Sequence, residues 1–194
     1  MSKEKPTVSI NLIETSLKGV LLIENQYYPD DRGFFMETYN FRRYEEKGFE
    51  RTFVQDNLSY SKQHVLRGLH YQLKRPQGKL VFAVRGEIFD VAVDIRRGSP
   101  KFGDWFGAVL SEENKRQIFI PEGYAHGFCV LSERADVIYK CTDFYTSGDE
   151  YGILWSDPDI GIDWPIKQPI LSEKDKENPR LQAAPQECLP VYDP

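Results

Sequence analysis

The chain has 194 residues, of which 28% are charged and 40% are hydrophobic, and its net charge is −5. This size and composition predict a single globular domain over residues 1–194. The negative charge argues against nucleic-acid binding, which needs a basic face. No segment approaches the about 20 apolar residues of a membrane span, and the start MSKEKPT lacks an apolar signal region. We therefore expect a soluble, cytoplasmic protein without a membrane partner.

Short strands account for most of the sequence pattern. The strand-like segments are rich in Val, Ile, Phe and Tyr, and turn residues such as Gly, Pro, Asp and Ser separate them. Strands are predicted at residues 19–28, 64–72, 79–96, 105–111, 117–132 and 136–145. Many short strands joined by regular turns predict an all-β fold, either an antiparallel sandwich or a barrel.

Two segments depart from the strand pattern. The stretch NFRRYEEKG predicts a short peripheral helix with Asn40 as N-cap and Gly48 just beyond its C-terminus. The tail from about Pro165 contains six prolines and little periodicity. We expect it either to wrap the barrel or to form a loose end from about residue 180.

The cysteines do not indicate a disulfide framework or a zinc site. Cys129, Cys141 and Cys188 are odd in number and have no C-x-x-C spacing. We expect reduced thiols that pack as small apolar groups.

The three histidines raise the question of a metal site. The segment PEGYAH, which ends at His126, resembles the second motif of the cupin family, but the His-x-His pair of the first cupin motif is replaced here by HYQ, which starts at His70. An oxygenase site needs at least three good ligands. We therefore predict no catalytic metal, and we expect His64 to be a hydrogen-bonded core residue.

Six segments together resemble the dTDP-4-dehydrorhamnose 3,5-epimerase family. They are PDDRGFFME (29–37), FVQDNLSYSKQHVLRGLHYQ (53–72), PQGKLVFAVRGEIFDVAVDIRRGSP (76–100), NKRQIFIPEGYAHGF (114–128), IYKCTDFY (138–145) and ILSEKD (170–175). The resemblance implies a cupin-type jelly roll with one or two short peripheral helices, no metal and no cofactor. It also implies conversion of dTDP-4-dehydro-6-deoxy-D-glucose to dTDP-4-dehydro-L-rhamnose.

The chemistry of that reaction explains which residue types it needs. Carbons 3 and 5 of the sugar flank the C4 ketone, so a base can remove either hydrogen and leave an enolate, which is reprotonated from the opposite face. A base on one side of the ring, an acid on the other side and a cation at the C4 oxygen are sufficient. No redox cofactor is required.

The resemblance assigns four catalytic residues. It makes His70 the base, Asp175 the carboxylate that orients it, Tyr139 the proton donor and Lys79 the partner of the enolate oxygen. An Asp at one ring nitrogen fixes the tautomer of a histidine and stabilises the imidazolium that forms. Alternation along the strand independently places Tyr139 on an apolar face, so its ring should point into the barrel.

The resemblance also implies a set of substrate-binding residues. Among them, His126 contacts substrate rather than metal, and Tyr145 stacks on the thymine ring. The remaining members are Arg32, Glu37, Gln55, Asp56, Asn57, Arg67, Glu150 and Lys174. In the family, the segment that carries Arg32 and Glu37 reaches the other subunit, which implies a homodimer with a swapped N-terminal strand.

One feature of the predicted site conflicts with strand geometry. Strict alternation puts Arg67 and His70 on opposite faces of one strand, although both should meet the same ligand. A bulge at Gly68 would reset the alternation.

Three other functions remain compatible with parts of the pattern. A sibling enzyme could epimerise only C3 of a related nucleotide 4-keto-6-deoxy sugar, with the same base and the same enolate site. A metal-dependent cupin would need a third ligand. A non-catalytic sugar-binding module would have no reason to combine His70, Asp175 and Tyr139.

Overall fold

The computed structural model describes residues 9–193 and contains two packed sheets and a separate hairpin. In chain order the strands are β1 (Ile10–Glu14), β2 (Leu21–Asn25), β3 (Tyr27–Asp30), β4 (Gly33–Met36), β5 (Gln55–Lys62), β6 (Leu66–Gln72), β7 (Lys79–Arg85), β8 (Glu87–Asp94), β9 (Trp105–Ser111), β10 (Arg116–Ile120), β11 (Tyr124–Val130), β12 (Arg134–Cys141) and β13 (Glu150–Gly152). One sheet has the order β1-β2-β10-β7-β12-β5 and the other β13-β6-β11-β8-β9. The predicted all-β, cupin-type jelly roll is confirmed.

The two sheets enclose the main core. Inward-facing residues of β7 and β12, such as Val81 and Val137, pack with Ile88, Leu110 and Phe128 of the opposite sheet. Within β12, Val137 and Cys141 are fully buried, which confirms the apolar face predicted for that strand.

The five-stranded sheet is covered on both faces, because the C-terminal tail packs against its outer side. Leu181 and Leu189 of the tail join Leu69 and Val93 of the sheet in a second buried cluster. This double coverage explains why every residue of β11 is buried. The tail therefore adopts the first of its two expected arrangements and wraps the barrel.

Two short helices lie outside the sheets. Helix α1 (Phe41–Glu45) begins where the Asn40 side chain accepts a hydrogen bond from the backbone N–H of Arg43. Gly48 has φ +82°, and the N–H groups of Gly48 and Phe49 donate back to the last turn, a typical Schellman ending. Both predicted helix ends are confirmed. Helix α2 (Glu173–Lys176) lies in the tail.

The hairpin β3–β4 forms its own two-stranded sheet. Phe34 and Phe35 on it are largely exposed to solvent, and Arg32 lies at its turn. Within residues 9–193 no helix is long and apolar enough to span a membrane.

Candidate active site

A cavity of about 460 Å³ opens between the two sheets. Strands β6 and β11 form one wall, β7 and β12 the other, and the segment around α2 closes a third side. Eight of the predicted site residues line this cavity: Arg67, His70, Lys79, His126, Tyr139, Glu150, Lys174 and Asp175.

His70 and Asp175 form a hydrogen-bonded pair, with His70 Nε2 and Asp175 Oδ1 2.5 Å apart. The one-turn helix α2 brings Asp175 to the cavity, and its N-cap Ser172 accepts a hydrogen bond from the Asp175 N–H. Burial raises the pKa of Asp175, but hydrogen bonds with His70, Ser172 and the backbone of Gly68 outweigh burial and hold the pKa below its ordinary value. The carboxylate is therefore ionised, and His70 Nδ1 is the ring nitrogen left to take a proton.

A bulge in β6 allows Arg67 and His70 to line the same cavity. His70 pairs with His126 of β11, whereas Arg67 pairs with Phe128, so three steps on β6 oppose two on β11. Gly68 lies in the bulge with φ +124°. The bulge suggested by the sequence is confirmed.

Only glycine fits at position 68. A Cβ atom there would lie 2.6 Å from Gly127 Cα and 2.7 Å from the His126 carbonyl oxygen. The positive φ also disfavours any L side chain.

The Arg67 guanidinium is held in place by hydrogen bonds to β5 of the opposite sheet. Its Nε donates to Ser61 Oγ at 2.9 Å, and its terminal nitrogen donates to the Tyr60 carbonyl oxygen at 3.2 Å. A guanidinium fixed in this way is suited to bind phosphate oxygens.

The opposite wall carries Tyr139 and Lys79. Tyr139 lies on β12 and Lys79 at the start of β7, where it pairs across the strands with Cys141. Burial raises the pKa of Tyr139, so its hydroxyl stays protonated and able to donate. Burial lowers the pKa of Lys79, and the neighbouring Cys141, Glu150 and Asp90 oppose that effect. A phenol and an amine thus face the histidine across the cavity.

His126 has a buried carboxylate partner that sequence reasoning missed. Asp90 Oδ2 lies 2.9 Å from His126 Nε2, and Asp90 is fully buried on β8. Within residues 9–193, the other Asp90 oxygen has no hydrogen-bond partner. An aspartate inside the apolar run EIFDVAVD was the signal that could have revealed it.

A smaller cavity of about 130 Å³ adjoins the first and shares His70, Lys79, Tyr139 and Glu150 with it. Gln55, Asn57 and Tyr145 line this second space. Gln55 accepts a hydrogen bond from the Tyr145 N–H at 2.8 Å and donates to Asn57 at 3.0 Å. A flat aromatic ring therefore borders the site beside two amide side chains.

Three residues of the predicted binding set lie outside both cavities of the single chain. Asp56 projects from the outer face of β5, because side chains alternate along a strand and those of its neighbours face inward. Its carboxylate pairs with Lys140 at 2.8 Å. Arg32 is 89% exposed on the hairpin and pairs with Asp30. Glu37 pairs with Arg43 at 3.1 Å.

His64 does not occupy the core. The residue is exposed in the turn between β5 and β6 with φ +65°, so the prediction of a buried histidine is wrong. Strand β5 ends before His64, so the alternation of buried and exposed side chains does not extend to this position.

No group of three or more potential metal ligands from His, Cys, Asp and Glu occurs in the part of the chain that the structure describes. Each cavity histidine instead bonds its own aspartate. The side chains present are therefore equipped for proton transfer and charge stabilisation.

A family model described as dTDP-4-dehydrorhamnose 3,5-epimerase matches residues 14–183. The chain belongs to this family. A dTDP-4-dehydrorhamnose 3,5-epimerase from Shigella flexneri is 56% identical over 168 residues, which cover 86% of this chain and 93% of that protein.

Two further relatives of this epimerase family bear on the site. A crystal structure of the Legionella pneumophila 3,5-epimerase in complex with dTDP-4-keto-L-rhamnose is 52% identical, with a TM-score of 0.93, and the match covers 96% of this chain and 100% of that chain. A dTDP-4-dehydrorhamnose 3-epimerase from Streptomyces niveus is 38% identical over 179 residues, 91% of this chain and 86% of that protein. The chain is thus more similar to epimerases named for both carbons than to this one named for C3.

Proposed function

We propose that this protein epimerises C3 and C5 of dTDP-4-dehydro-6-deoxy-D-glucose to give dTDP-4-dehydro-L-rhamnose. The observation that carries the proposal is the His70–Asp175 pair facing Tyr139 and Lys79 across one cavity. Membership of the 3,5-epimerase family supports it. The C3-only alternative has less support, because the related 3-epimerase is the more distant relative.

In the proposed mechanism His70 removes the proton at C3 or C5 while Asp175 stabilises the imidazolium. The Lys79 ammonium balances the charge that develops on the C4 oxygen. Tyr139 then delivers a proton to the opposite face of the ring. Each positioned acid or base contributes about 10²–10⁴-fold to the rate, and the charge on Lys79 adds to these contributions.

The remaining predicted residues hold the nucleotide. Arg67 is suited to the diphosphate, and the exposed ring of Tyr145 is suited to stack on the thymine. Gln55, Asn57 and His126 offer hydrogen bonds around the sugar and nucleoside.

The proposal is tested by incubating the purified protein with dTDP-4-dehydro-6-deoxy-D-glucose and reading the ring configuration from proton NMR couplings. We expect inversion at C3 and C5, and the same rate after dialysis against a chelator. Inversion at C3 alone would establish the sibling activity. Activity that disappears with the chelator and returns with a divalent metal would establish a metal-dependent cupin, and binding without turnover a sugar-binding module.

We also propose a homodimer in which the hairpin of residues 27–37 completes the partner's site. This hairpin carries Arg32 and Glu37, which lie outside the cavities of their own chain. Leu58 and Tyr60 on the outer face of β5 are exposed, and a second subunit would cover them. The three unbridged cysteines fit a reducing compartment, so we place the enzyme in the cytoplasm.

A further inference from the structure

Lys79 lies in the cavity without a paired carboxylate in the described part of the chain. Among residues 9–193 it forms no ion pair and no side-chain hydrogen bond, although its surroundings are largely desolvated. Its cross-strand neighbour is Cys141, whose thiol burial keeps protonated and neutral by raising its pKa. The Lys79 side chain therefore remains available to a ligand.

Two carboxylates close to Lys79 are engaged elsewhere. Asp90 bonds His126 at 2.9 Å. Glu150, at the start of β13, lines the same two cavities as Lys79 but forms an ion pair with Lys174 of α2. Each of these two acids is thus held by a side chain other than Lys79.

The competition between these pairs matters because burial desolvates Lys79. Opposite charges attract much more strongly at low effective dielectric than in bulk water. A Glu150 released from Lys174 would be free to pair with Lys79, because both side chains line the same two cavities. Such a pair would cancel the positive charge where the mechanism needs it, at the C4 oxygen.

We propose that Lys174 is a positioning residue, whose ion pair with Glu150 keeps Lys79 free to stabilise the enolate oxygen. The inference rests on the proposed epimerase function. Helix α2 also carries Asp175, so one short turn both orients the base and keeps the enolate cation unpaired.

Steady-state kinetics of four variants test the proposal. Lys174→Met should lower kcat by about 10- to 100-fold, somewhat less than the roughly 10²–10³-fold loss of a fixed oxyanion donor. Lys174→Arg, which retains a cation for Glu150, should stay within about threefold of wild type. The double variant Lys174→Met/Glu150→Gln should recover most of the lost kcat, because residue 150 no longer carries a carboxylate that can pair with Lys79. The single variant Glu150→Gln completes the double-mutant cycle.

Lys176→Met is the matched control. Lys176 lies on the same helix and forms an exposed pair with Glu173 outside the cavity, so this variant should keep the wild-type kcat. If Lys174 instead only contacts substrate, Lys174→Met should raise KM, and adding Glu150→Gln should give no recovery. A double variant no more active than Lys174→Met would overturn the proposal. An inactive wild-type protein would instead contradict the epimerase function itself.

Discussion

A single glycine decides whether strand β6 can present two functional side chains to one cavity. Gly68 takes φ +124° and lies against Gly127, and the bulge there turns Arg67 and His70 toward the same space. The sequence indicated that the two residues conflicted with simple alternation. Only the pairing with β11 shows how the conflict is resolved.

Gly68→Ala should therefore be costly. The added Cβ would lie 2.6 Å from Gly127 Cα and 2.7 Å from the His126 carbonyl oxygen, so backbone must move. We expect a loss of about 2–4 kcal/mol in the free energy of unfolding, from strain and overpacking together. Chemical denaturation measures it, and Gly98→Ala is a control that shares a positive φ but meets nothing within 4 Å. Equal losses for the two variants would show that the positive φ, and not the contact with β11, causes the loss of stability.

Variants of the reacting residues and variants of the anchoring residues should change different kinetic parameters. His70→Ala removes the proposed base and should lower kcat by about 10²–10⁴-fold with little change in KM. Tyr139→Phe should also lower kcat with little change in KM. Arg67→Ala should mainly raise KM, because a phosphate contact forms in both ground and transition states. The reverse pattern would mean that the anchoring and reacting residues have been exchanged.

The tail is the element that delivers Asp175. Upstream, the Ile170 N–H donates to the His64 carbonyl oxygen at 2.8 Å. Downstream, Leu154 N–H donates to the Pro179 carbonyl oxygen at 2.8 Å, and Leu181 N–H donates to Asp157 at 2.7 Å. Helix α2 is therefore held between anchors on both sides.

Leu181→Ala tests how much the tail contributes to stability. Leu181 is 2% exposed, so truncation leaves a buried space and should cost about 2–5 kcal/mol of unfolding free energy. Gln182→Ala, an exposed position of the same turn, should change it by less than about 0.5 kcal/mol. Thermal or urea unfolding distinguishes them. A Leu181→Ala protein as stable as wild type would show that packing of the tail against the barrel contributes little to stability.

The elements differ in how far local sequence predicts them. The cap residues Asn40 and Gly48 define α1, and alternation in β12 places Tyr139 inside, because both depend on neighbours in the chain. The His70–Asp175 pair spans 105 residues, and no local pattern predicts it. Family resemblance supplied that pair, whereas the Asp90–His126 pair was missed.

At the scale of the whole molecule, the two sheets differ in their outer faces. The tail covers the five-stranded sheet, whereas the six-stranded sheet leaves Leu58, Tyr60 and Val84 exposed. An exposed apolar face of this kind, together with a hairpin that carries predicted binding residues, favours the proposed dimer with exchanged hairpins.

Mixing two inactive variants tests whether the hairpin acts across the dimer. Arg32→Ala should damage the site of the partner, and His70→Ala the site of its own chain. After subunit exchange, random pairing should restore about one quarter of the wild-type sites, because half of the dimers are mixed and each has one intact site. No recovery in mixtures shown to exchange subunits would place Arg32 in its own chain's site. A monomeric wild-type protein in light scattering would contradict the dimer.

In the proposed mechanism His70 removes the protons on both sides of the C4 ketone. The most direct measurement follows deuterium at C3 and C5 by NMR and mass spectrometry, with dTDP-4-dehydro-6-deoxy-D-glucose in D₂O and wild-type or His70→Ala protein. We expect label and inversion at both carbons with wild type, and loss of both with His70→Ala. Label entering at the wild-type rate in His70→Ala would contradict this mechanism.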